Sequence, residues 1–204
     1  MTAFHLLDAD DPALAPSDQL AVARAHLEAA VLVDAEPIAH RARVLAFLAA
    51  HVDAAHRANV TGHLTGSALV VDAAGERTLL MLHRKLGRWF QPGGHADGDT
   101  NLPAVALREA QEETGISDLQ VVVPSIDVDV HRVEPPNEPA HLHLDTRYLV
   151  LAPAGALEQA NEESLALRWV RVSELDDLDP PIDHSTRRLV TRGLAVARDL
   201  LGGG

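Results

Sequence analysis

The stretch that most constrains this chain is GGHADGDTNLPAVALREAQEETGI, which runs from residue 93 to residue 116. Its glycine pair ends a β-type run, and a helical pattern continues to Gly115, a residue favoured at helix ends because it adopts positive φ readily. At about 100° per residue, the side chains of Glu109, Glu112 and Glu113 lie within roughly one third of the helix circumference. The segment therefore predicts a turn followed by a helix with three carboxylates on one face.

The three carboxylates repel one another, and like charges four residues apart destabilise a helix. Mg²⁺ and Mn²⁺ are hard cations that prefer oxygen ligands of this kind. For the letters EAQEE alone, an acidic face in contact with water is the usual explanation. The glycine pair, Arg108 and Ile116 all stand in register with the glutamates, and together they favour a cation site.

Composition excludes several other kinds of site. The 204 residues include no cysteine, so disulfides, thiolate nucleophiles and Cys-ligated zinc are ruled out. The formal charge of −13 disfavours binding to a nucleic acid polymer, which needs a basic surface. The N-terminus lacks a signal-peptide pattern, and no apolar run reaches the roughly 18 residues of a membrane helix. We therefore expect a cytoplasmic protein without a membrane partner.

The pattern of the chain changes near residue 60. Residues 1–60 predict an N-terminal helical extension of two helices, interrupted at Pro37, whose apolar stripes pack on the remainder of the chain or in a homodimer. Residues 61–204 alternate short β-type runs with helical segments and end in a C-terminal helix. This order predicts an α+β fold. The stripes are carried by Leu20, Leu27, Leu45 and Leu48.

The stretch from Gly94 resembles the signature of the Nudix hydrolase superfamily, G-x5-E-x7-R-E-U-x-E-E-x-G-U, where U is a bulky aliphatic residue. Ala110 places a small residue at the first U position, and Thr100 replaces the first glutamate. The resemblance covers roughly residues 63 to 178 and implies an α/β/α sandwich with a mixed sheet. The positions in register are Gly94, Arg108, Glu109, Glu112, Glu113, Gly115 and Ile116.

The resemblance also implies an activity. Members of the superfamily hydrolyse a diphosphate linkage in a nucleoside diphosphate linked to another moiety, or in a related small molecule, by attack of water at phosphorus. Glu109, Glu112 and Glu113 would hold Mg²⁺ or Mn²⁺, which would neutralise the diphosphate and activate water. The implied partner is a small-molecule diphosphate substrate.

Other residues of the motif receive supporting roles from the resemblance. Gly93 and Gly94 would let the backbone approach the metals or phosphates closely. Arg108 would orient the glutamates through charge-assisted hydrogen bonds. The general base would be one of the glutamates or a residue of a later loop, where Glu162 and Glu163 are candidates and we favour Glu163.

Further polar groups border the motif. Arg84, Lys85 and Trp89 precede the glycine turn and could contact phosphate or stack on a base, although an ordinary basic hairpin end explains them equally well. His95 follows Gly94 directly and is a candidate for substrate contact.

A second polar group lies in the letters HLHLD. Strand side chains alternate, so His141, His143 and Asp145 share one face, where imidazole and carboxylate could bind an additional metal. A half-exposed polar strand face is the alternative explanation.

Thr100 cannot carry the charge of the glutamate that it replaces. Asp99 is one residue away and Asp97 three, and loops absorb such shifts easily. We therefore expect Asp99, rather than Asp97, to pair with Arg108 or with the metal, and we expect loss of the Thr100 hydroxyl to matter little. The alternative is that both aspartates are simply loop residues.

Two alternative functions remain. A Nudix domain that has lost catalysis could sense a nucleotide, although such domains usually lose the helix glutamates that this chain keeps. An isopentenyl-diphosphate isomerase would share the Gly-His pair and metal-binding histidines, but it requires a catalytic cysteine that this sequence lacks.

Overall fold

An eight-stranded mixed sheet forms the centre of the computed structural model, which describes residues 4–135 and 139–202. The sheet confirms the predicted α+β class. The strands are β1 (His5–Leu7), β2 (Gly62–Val71), β3 (Thr78–His83), β4 (Arg88–Phe90), β5 (Gly93–His95), β6 (Gln120–Val133), β7 (His141–Leu151) and β8 (Ser164–Val170).

The strands are hydrogen-bonded in the order β1-β6-β7-β2-β3-β4, with β5 beside β2 and β8 beside β3. Only the β2–β7 pair among these described pairings is parallel. Strand β2 pairs with β3 at Val71 and with β5 from Thr65 to Ser67. On the side away from β7, strand β2 therefore pairs with β5 in its middle and with β3 at its end. Strand β5 thus places the glycine pair beside β2.

Helices cover both faces of this sheet. Helices α1, α2 and α3 contribute to one apolar cluster, which contains Leu27, Val44 and Ala106, and α4 contributes Leu189 and Leu194 to a second one. The result is the α/β/α sandwich that the sequence predicts. None of the described helices is long and apolar enough to cross a membrane. The helices are α1 (Leu20–Ala29), α2 (Ala35–Ala50), α3 (Leu102–Thr114) and α4 (His184–Gly202).

The N-terminal extension is more than a helical pair. Strand β1 joins the edge of the sheet by pairing with β6, and the Val31 N–H donates to the Ser125 carbonyl farther along that edge. Pro37 does not interrupt a helix but lies in the first turn of α2. The first-turn N–H groups have no acceptor within the helix, so proline loses nothing there.

Helix α3 packs against β2 at very short range. A Cβ atom at Gly66 would lie 3.0 Å from the Leu102 carbonyl oxygen and 3.1 Å from the Ala106 nitrogen, which is tighter than ordinary contact. Gly115 ends the helix with φ of 67°, and its N–H donates to the Gln111 carbonyl. Glycine is therefore required at both places, in one case for space and in the other for the left-handed backbone.

Candidate active site

The glycine pair of β5 touches two of the glutamates of α3. The Gly93 N–H donates to Glu113 Oε2 at 2.9 Å. At Gly94 a Cβ atom would collide with the Glu109 carboxylate, so a side chain at this position would push that carboxylate away. The two glycines thus allow the backbone and the carboxylates to meet, as the sequence motif suggests.

Burial changes the proton affinity of these carboxylates. The Glu113 side chain is 6% exposed, whereas Glu112 is exposed. Burial, followed by the charges of Glu109, Glu163 and Glu112, raises the pKa of Glu113 to about 8, although the Gly93 N–H opposes the shift. Burial also raises the pKa of Glu109. In the absence of a cation, the surroundings of Glu109 and Glu113 therefore disfavour the charged forms of both side chains.

Arg108 provides positive charge beside this group. Its Nη2 lies 3.2 Å from Glu109 Oε1 and 3.5 Å from the His95 carbonyl oxygen. Its Nη1 lies 3.9 Å from Asp99 Oδ2, which is an ion pair without a close hydrogen bond. Asp97 instead accepts hydrogen bonds from two guanidinium nitrogens of Arg57, from Nε to Oδ1 at 2.7 Å and from Nη2 to Oδ2. Of the two aspartates, Asp99 is therefore the one that faces Arg108.

Asp99 also organises the start of α3. Its Oδ1 accepts hydrogen bonds from the Asn101 N–H at 2.9 Å and from the Ser17 N–H at 3.1 Å. The Asn101 side chain continues the contact by donating to the carbonyls of Ala13 and Ala15. The loop that carries the motif is therefore fastened to the N-terminal extension.

Thr100 is a second point of attachment. It is fully buried, its N–H donates to the Ser17 carbonyl at 2.6 Å, and its hydroxyl lies 3.0 Å from the Ser17 oxygen and 2.9 Å from the Gln19 oxygen. A single hydroxyl hydrogen is shared between these two acceptors. Residue 100, where the motif has a glutamate, thus binds the backbone of Ser17 and Gln19 in this protein.

The predicted loop candidate lies beside the glutamates. Glu163 is exposed, and its charge is one of those that raise the pKa of Glu113. Its N–H donates to the Asn161 side-chain oxygen at 2.9 Å, while the Asn161 amide donates to the Glu112 carbonyl at 3.4 Å. Asn161 therefore connects this loop to the C-terminal turn of α3.

Two of the residues proposed for substrate contact have structural partners instead. The Arg84 guanidinium donates to the carbonyls of Glu162 and Ser164, which ties the β3–β4 turn to β8. Trp89 is 6% exposed within the second apolar cluster, and its indole N–H donates to the Asp179 carbonyl. Its ring is therefore not open for stacking on a base. Lys85 is exposed.

The sequence analysis missed a continuous polar face on the opposite side of the sheet. Side chains from four adjacent strands meet there because strand register aligns residues that are distant in sequence. The aligned positions are Asp127 with Arg147 and Ser67, Asp129 with Asp145 and Thr65, and His131 with His143 and His63, while His95 lies beside Thr65.

A buried ionic network occupies the centre of this face. Arg147 Nε lies 2.7 Å from Asp145 Oδ2, and the guanidinium also reaches Asp127 at 3.4 Å and Asp129 at 3.2 Å. The Ser67 hydroxyl donates to Asp145 at 2.9 Å. Asp145, proposed from sequence as a metal ligand, is therefore already occupied by its partners in this network.

Helix α4 closes the network with Arg188. This side chain pairs with Asp127 at 3.1 Å and Asp129 at 3.2 Å, and it also contacts Glu36 of α2. Burial would raise the pKa of Asp129, but a hydrogen bond from His131 and the charge of Arg147 hold it well below its usual range. At Asp127 burial prevails, and the pKa is raised.

A histidine cluster adjoins the network. Ligand nitrogens of His63, His95 and His143 all lie within 4.8 Å of one another. The rings of His131 and His141 are each 5.4 Å from the His143 ring. Burial, together with the neighbouring imidazoles, lowers the pKa of His63 to about 4 and that of His143 to about 2.

The residues of α3 fit a hard divalent cation by their chemistry. Glu109, Glu112 and Glu113 offer carboxylate oxygens, and the shifts at Glu109 and Glu113 reflect charge that a cation would stabilise. In the described part of the chain, the histidine cluster is the one group with three ligand atoms within 4.8 Å.

Sequence signals for the polar face do exist. The letters DVDVH place Asp127, Asp129 and His131 on alternate positions, and HLHLDTR continues the same alternation to Arg147. The apolar residues between these positions, Val128 and Val130, show the alternation typical of a strand. His63 had no recognisable local pattern.

Comparison with known proteins agrees with this geometry. The NUDIX domain family model matches residues 63–192. A Mycobacterium tuberculosis protein with the provisional name 8-oxo-dGTP diphosphatase 3 is 34% identical over 136 residues, which are 60% of this chain and 58% of that protein. The match thus spans less than two thirds of the length of this relative.

Solved structures of low sequence identity share the fold. A NUDIX family hydrolase from Clostridium perfringens has a TM-score of 0.51 at 24% identity and covers 66% of this chain and 97% of its own. A C. elegans Ap4A hydrolase in a binary complex has a TM-score of 0.53 at 17% identity and covers 69% of this chain and 98% of its own. With its motif helix, its sandwich and a family match over most of its length, this chain belongs to the NUDIX family.

Proposed function

We propose that the protein is a divalent-cation-dependent hydrolase that cleaves a diphosphate linkage in a nucleoside diphosphate linked to another moiety. One observation carries the proposal: the buried Glu113 carboxylate accepts a hydrogen bond from the Gly93 N–H at 2.9 Å, and Glu109, on the same face of α3, lies against Gly94. Carboxylates crowded in this way gain stability from a hard cation. Membership of the NUDIX family supports the same activity.

The glutamates of α3 are the proposed ligands of Mg²⁺ or Mn²⁺. A bound cation would neutralise diphosphate oxygens and activate water for attack at phosphorus. The Gly93 N–H holds the Glu113 carboxylate, and Arg108 donates to Glu109. Two of the proposed ligands are therefore held in place by the protein itself, which limits the rearrangement that binding requires.

Removal of the proton from water is assigned to Glu163 or to an α3 glutamate. Glu163 is exposed and lies in the loop that Asn161 fastens to α3. A carboxylate in such a position can reach a water molecule at the edge of the site without itself holding the cation. A Glu163→Gln variant with a reduced rate but unchanged cation affinity would support Glu163 in this role.

The proposed substrate is a small nucleotide rather than a nucleic acid polymer. The provisional name of the M. tuberculosis relative refers to 8-oxo-dGTP, and a relative of the same fold is an Ap4A hydrolase. Both names refer to nucleoside polyphosphates. The formal charge of −13 also disfavours a long polyanion as partner.

Phosphate release from a panel of nucleoside diphosphate and triphosphate derivatives tests the proposal, with Mg²⁺, Mn²⁺ or chelator present. We expect turnover that requires the cation and falls by about 10²-fold or more in Glu113→Gln, because a metal-activated water lowers the barrier by several kcal/mol.

Glu28→Gln is the matched control, since Glu28 is an exposed carboxylate of α1 that pairs with Arg24. Equal rates in the two glutamine variants would contradict the proposal. Nucleotide binding without turnover in any condition would support the sensor alternative instead.

A further inference from the structure

We propose that His63, His95 and His143 form a site for one transition-metal ion of the Zn²⁺ or Co²⁺ type, separate from the glutamates of α3. The three ligand nitrogens lie within 4.8 Å of one another and come from three neighbouring strands. Imidazole suits Zn²⁺, Co²⁺, Ni²⁺ and Cu²⁺, whereas Mg²⁺ prefers oxygen ligands. The site therefore selects a different class of ion from the glutamates.

The sheet provides a rigid frame for this site. His63 and His143 are register partners in the parallel β2–β7 pair, and His95 pairs with Thr65, the next residue of β2 on the same face. Zn–N bonds of about 2.0–2.1 Å place ligand nitrogens about 3.4 Å apart in a tetrahedral site. Side-chain rotation alone can close this difference, because the strands already hold the three Cα atoms side by side.

Ring anchoring follows the pattern of metal-binding histidines, which donate one ring N–H to an oxygen and bind with the other nitrogen. His63 Nδ1 faces the Asn59 carbonyl at 3.5 Å, while its buried Nε2 has no hydrogen-bond partner among the described residues. His63 is 2% exposed, so water does not compensate this nitrogen. A buried polar atom without a partner is costly, and a metal ion would satisfy it.

The neighbouring rings add to this arrangement. His141 Nδ1 lies 2.8 Å from the Pro139 carbonyl, and the His141 ring centroid is 4.7 Å from that of His63. His131 Nδ1 lies 2.9 Å from Asp129 Oδ2. His141 and His131 thus pack around the three proposed ligands, each with one ring nitrogen facing an oxygen.

The proposed site and the glutamates lie on opposite faces of the sheet. Gly66 and Gly94 both face α3, because Cβ atoms built on them meet α3 atoms. His95 follows Gly94 and points to the other face, where its ring centroid is 4.9 Å from that of His63. Alternation along β5 thus separates the two sites.

Titration of the untagged full chain with Co²⁺, after removal of metals by chelation and dialysis, tests the proposal. We expect about one equivalent to give the visible d–d absorption of Co²⁺ with nitrogen ligands, and Zn²⁺ to displace it. His63→Gln and His143→Asn should each weaken Co²⁺ binding by about 100-fold or more, since loss of an outer-shell partner alone commonly weakens binding 10- to 100-fold.

Two further variants distinguish this site from others. Glu113→Gln should keep the Co²⁺ absorption, whereas loss of the absorption in that variant would locate the ion at the glutamates and overturn the proposal. His5→Asn is the matched control, because His5 is an exposed histidine on another strand. Equal binding by the control and by His143→Asn would also overturn the proposal.

A measurement without substitutions covers the case in which a variant does not fold. Long-range ¹H–¹⁵N spectra of the unsubstituted chain resolve the ring nitrogens of each histidine. Addition of Zn²⁺ should shift one ring nitrogen in each of His63, His95 and His143 to the metal-bound range. Shifts confined to exposed histidines such as His5 would overturn the proposal.

Discussion

Asp129 and Glu113 are both buried carboxylates, yet their pKa values move in opposite directions. Against the effect of burial, a hydrogen bond from His131 and the charge of Arg147 lower the pKa of Asp129. Burial raises the pKa of Glu113 to about 8, and the nearby charges that add to the shift are carboxylates. Asp129 lies on the face of the sheet that α4 covers, whereas Glu113 lies on α3, which packs against the opposite face.

This difference separates a network that holds the fold together from the group that we propose as the cation site. On the Asp129 side, two arginines satisfy three aspartates, so the network holds α4 and the central strands together. On the Glu113 side, Arg108 is shared between Glu109 and Asp99, and charge remains unbalanced. Unbalanced buried charge with oxygen ligands is what a cation site requires before the ion arrives.

The largest effect on stability should come from removing the charge of Arg147, which pairs with three buried aspartates. Arg147→Met removes the charge but keeps most of the volume, and it leaves three buried aspartates with one arginine. We expect a loss of about 3–5 kcal/mol in the free energy of unfolding, as when one partner of a buried ion pair is removed. Urea denaturation measures it. Arg132→Met, at an exposed pair with Glu134, is the control and should change stability by less than about 1 kcal/mol.

The pH dependence of the free energy of unfolding should further distinguish Glu113 from Asp129. Because the folded-state pKa of Glu113 is raised from 4.5 to about 8, the metal-free protein is favoured at low pH and loses stability as pH rises from about 4.5 to 8. Glu113→Gln should remove this loss, which is on the order of 4 kcal/mol at pH 8 because each unit between the two pKa values contributes about 1.4 kcal/mol, so the variant is the more stable protein at pH 8. Thermal melts in chelator between pH 5 and 8 measure it, and parallel pH profiles for both proteins would contradict it.

Removing the charge of Asp99 should lower the affinity for the cation more than the stability of the fold. Its carboxylate lies 3.9 Å from Arg108 and holds the start of α3. Asp99→Asn should weaken Mn²⁺ affinity by roughly 10- to 100-fold, as loss of an outer-shell partner commonly does. Calorimetric titration with Mn²⁺ measures this change. Asp97→Asn is the control, since Asp97 pairs with Arg57, and an equal effect in both variants would refute the role of Asp99.

The smallest effect should come from Thr100. Thr100→Val keeps the shape but removes the hydroxyl that both carbonyls share, while the Ser17 carbonyl keeps the Thr100 N–H and the Gln19 carbonyl keeps the Val22 N–H as donors. We therefore expect a loss of about 1 kcal/mol in the free energy of unfolding, as for one hydrogen bond. This differs from the small effect that the sequence suggested for this hydroxyl. Thr61→Val changes an exposed threonine and should be neutral. Denaturation curves that coincide for both variants would show that the attachment contributes nothing.

Local patterns were sufficient for the glutamate face. The positions of Glu109, Glu112 and Glu113 on one helix follow from helical geometry, and Gly115 marked the end of α3 correctly. The glycine pair also indicated close approach of the backbone, and the contacts of Gly93 and Gly94 agree with it. All of this information lies within a segment of 24 letters, from residue 93 to residue 116.

The polar face could not be predicted in the same way. It depends on which strands are neighbours and in what register, and its partners are separated along the chain, as His63 and His143 are. Trp89 was misjudged for a related reason, because only the packing of α4 and the segment near Asp179 decides whether its ring is covered. Strand β1 was missed because three residues at an edge carry almost no periodicity.

The attachment of Thr100 to Ser17 and Gln19 restricts which side chains can occupy residue 100. Residue 100 is fully buried, and two carbonyl oxygens face its side chain. A glutamate there would place a negative charge against those oxygens in a position closed to water. Because both acceptors are backbone carbonyls, substitutions at residues 17 and 19 do not remove them. Residue 100 therefore favours a small side chain with a hydroxyl donor, and the motif glutamate would have to displace the N-terminal segment to be accommodated here.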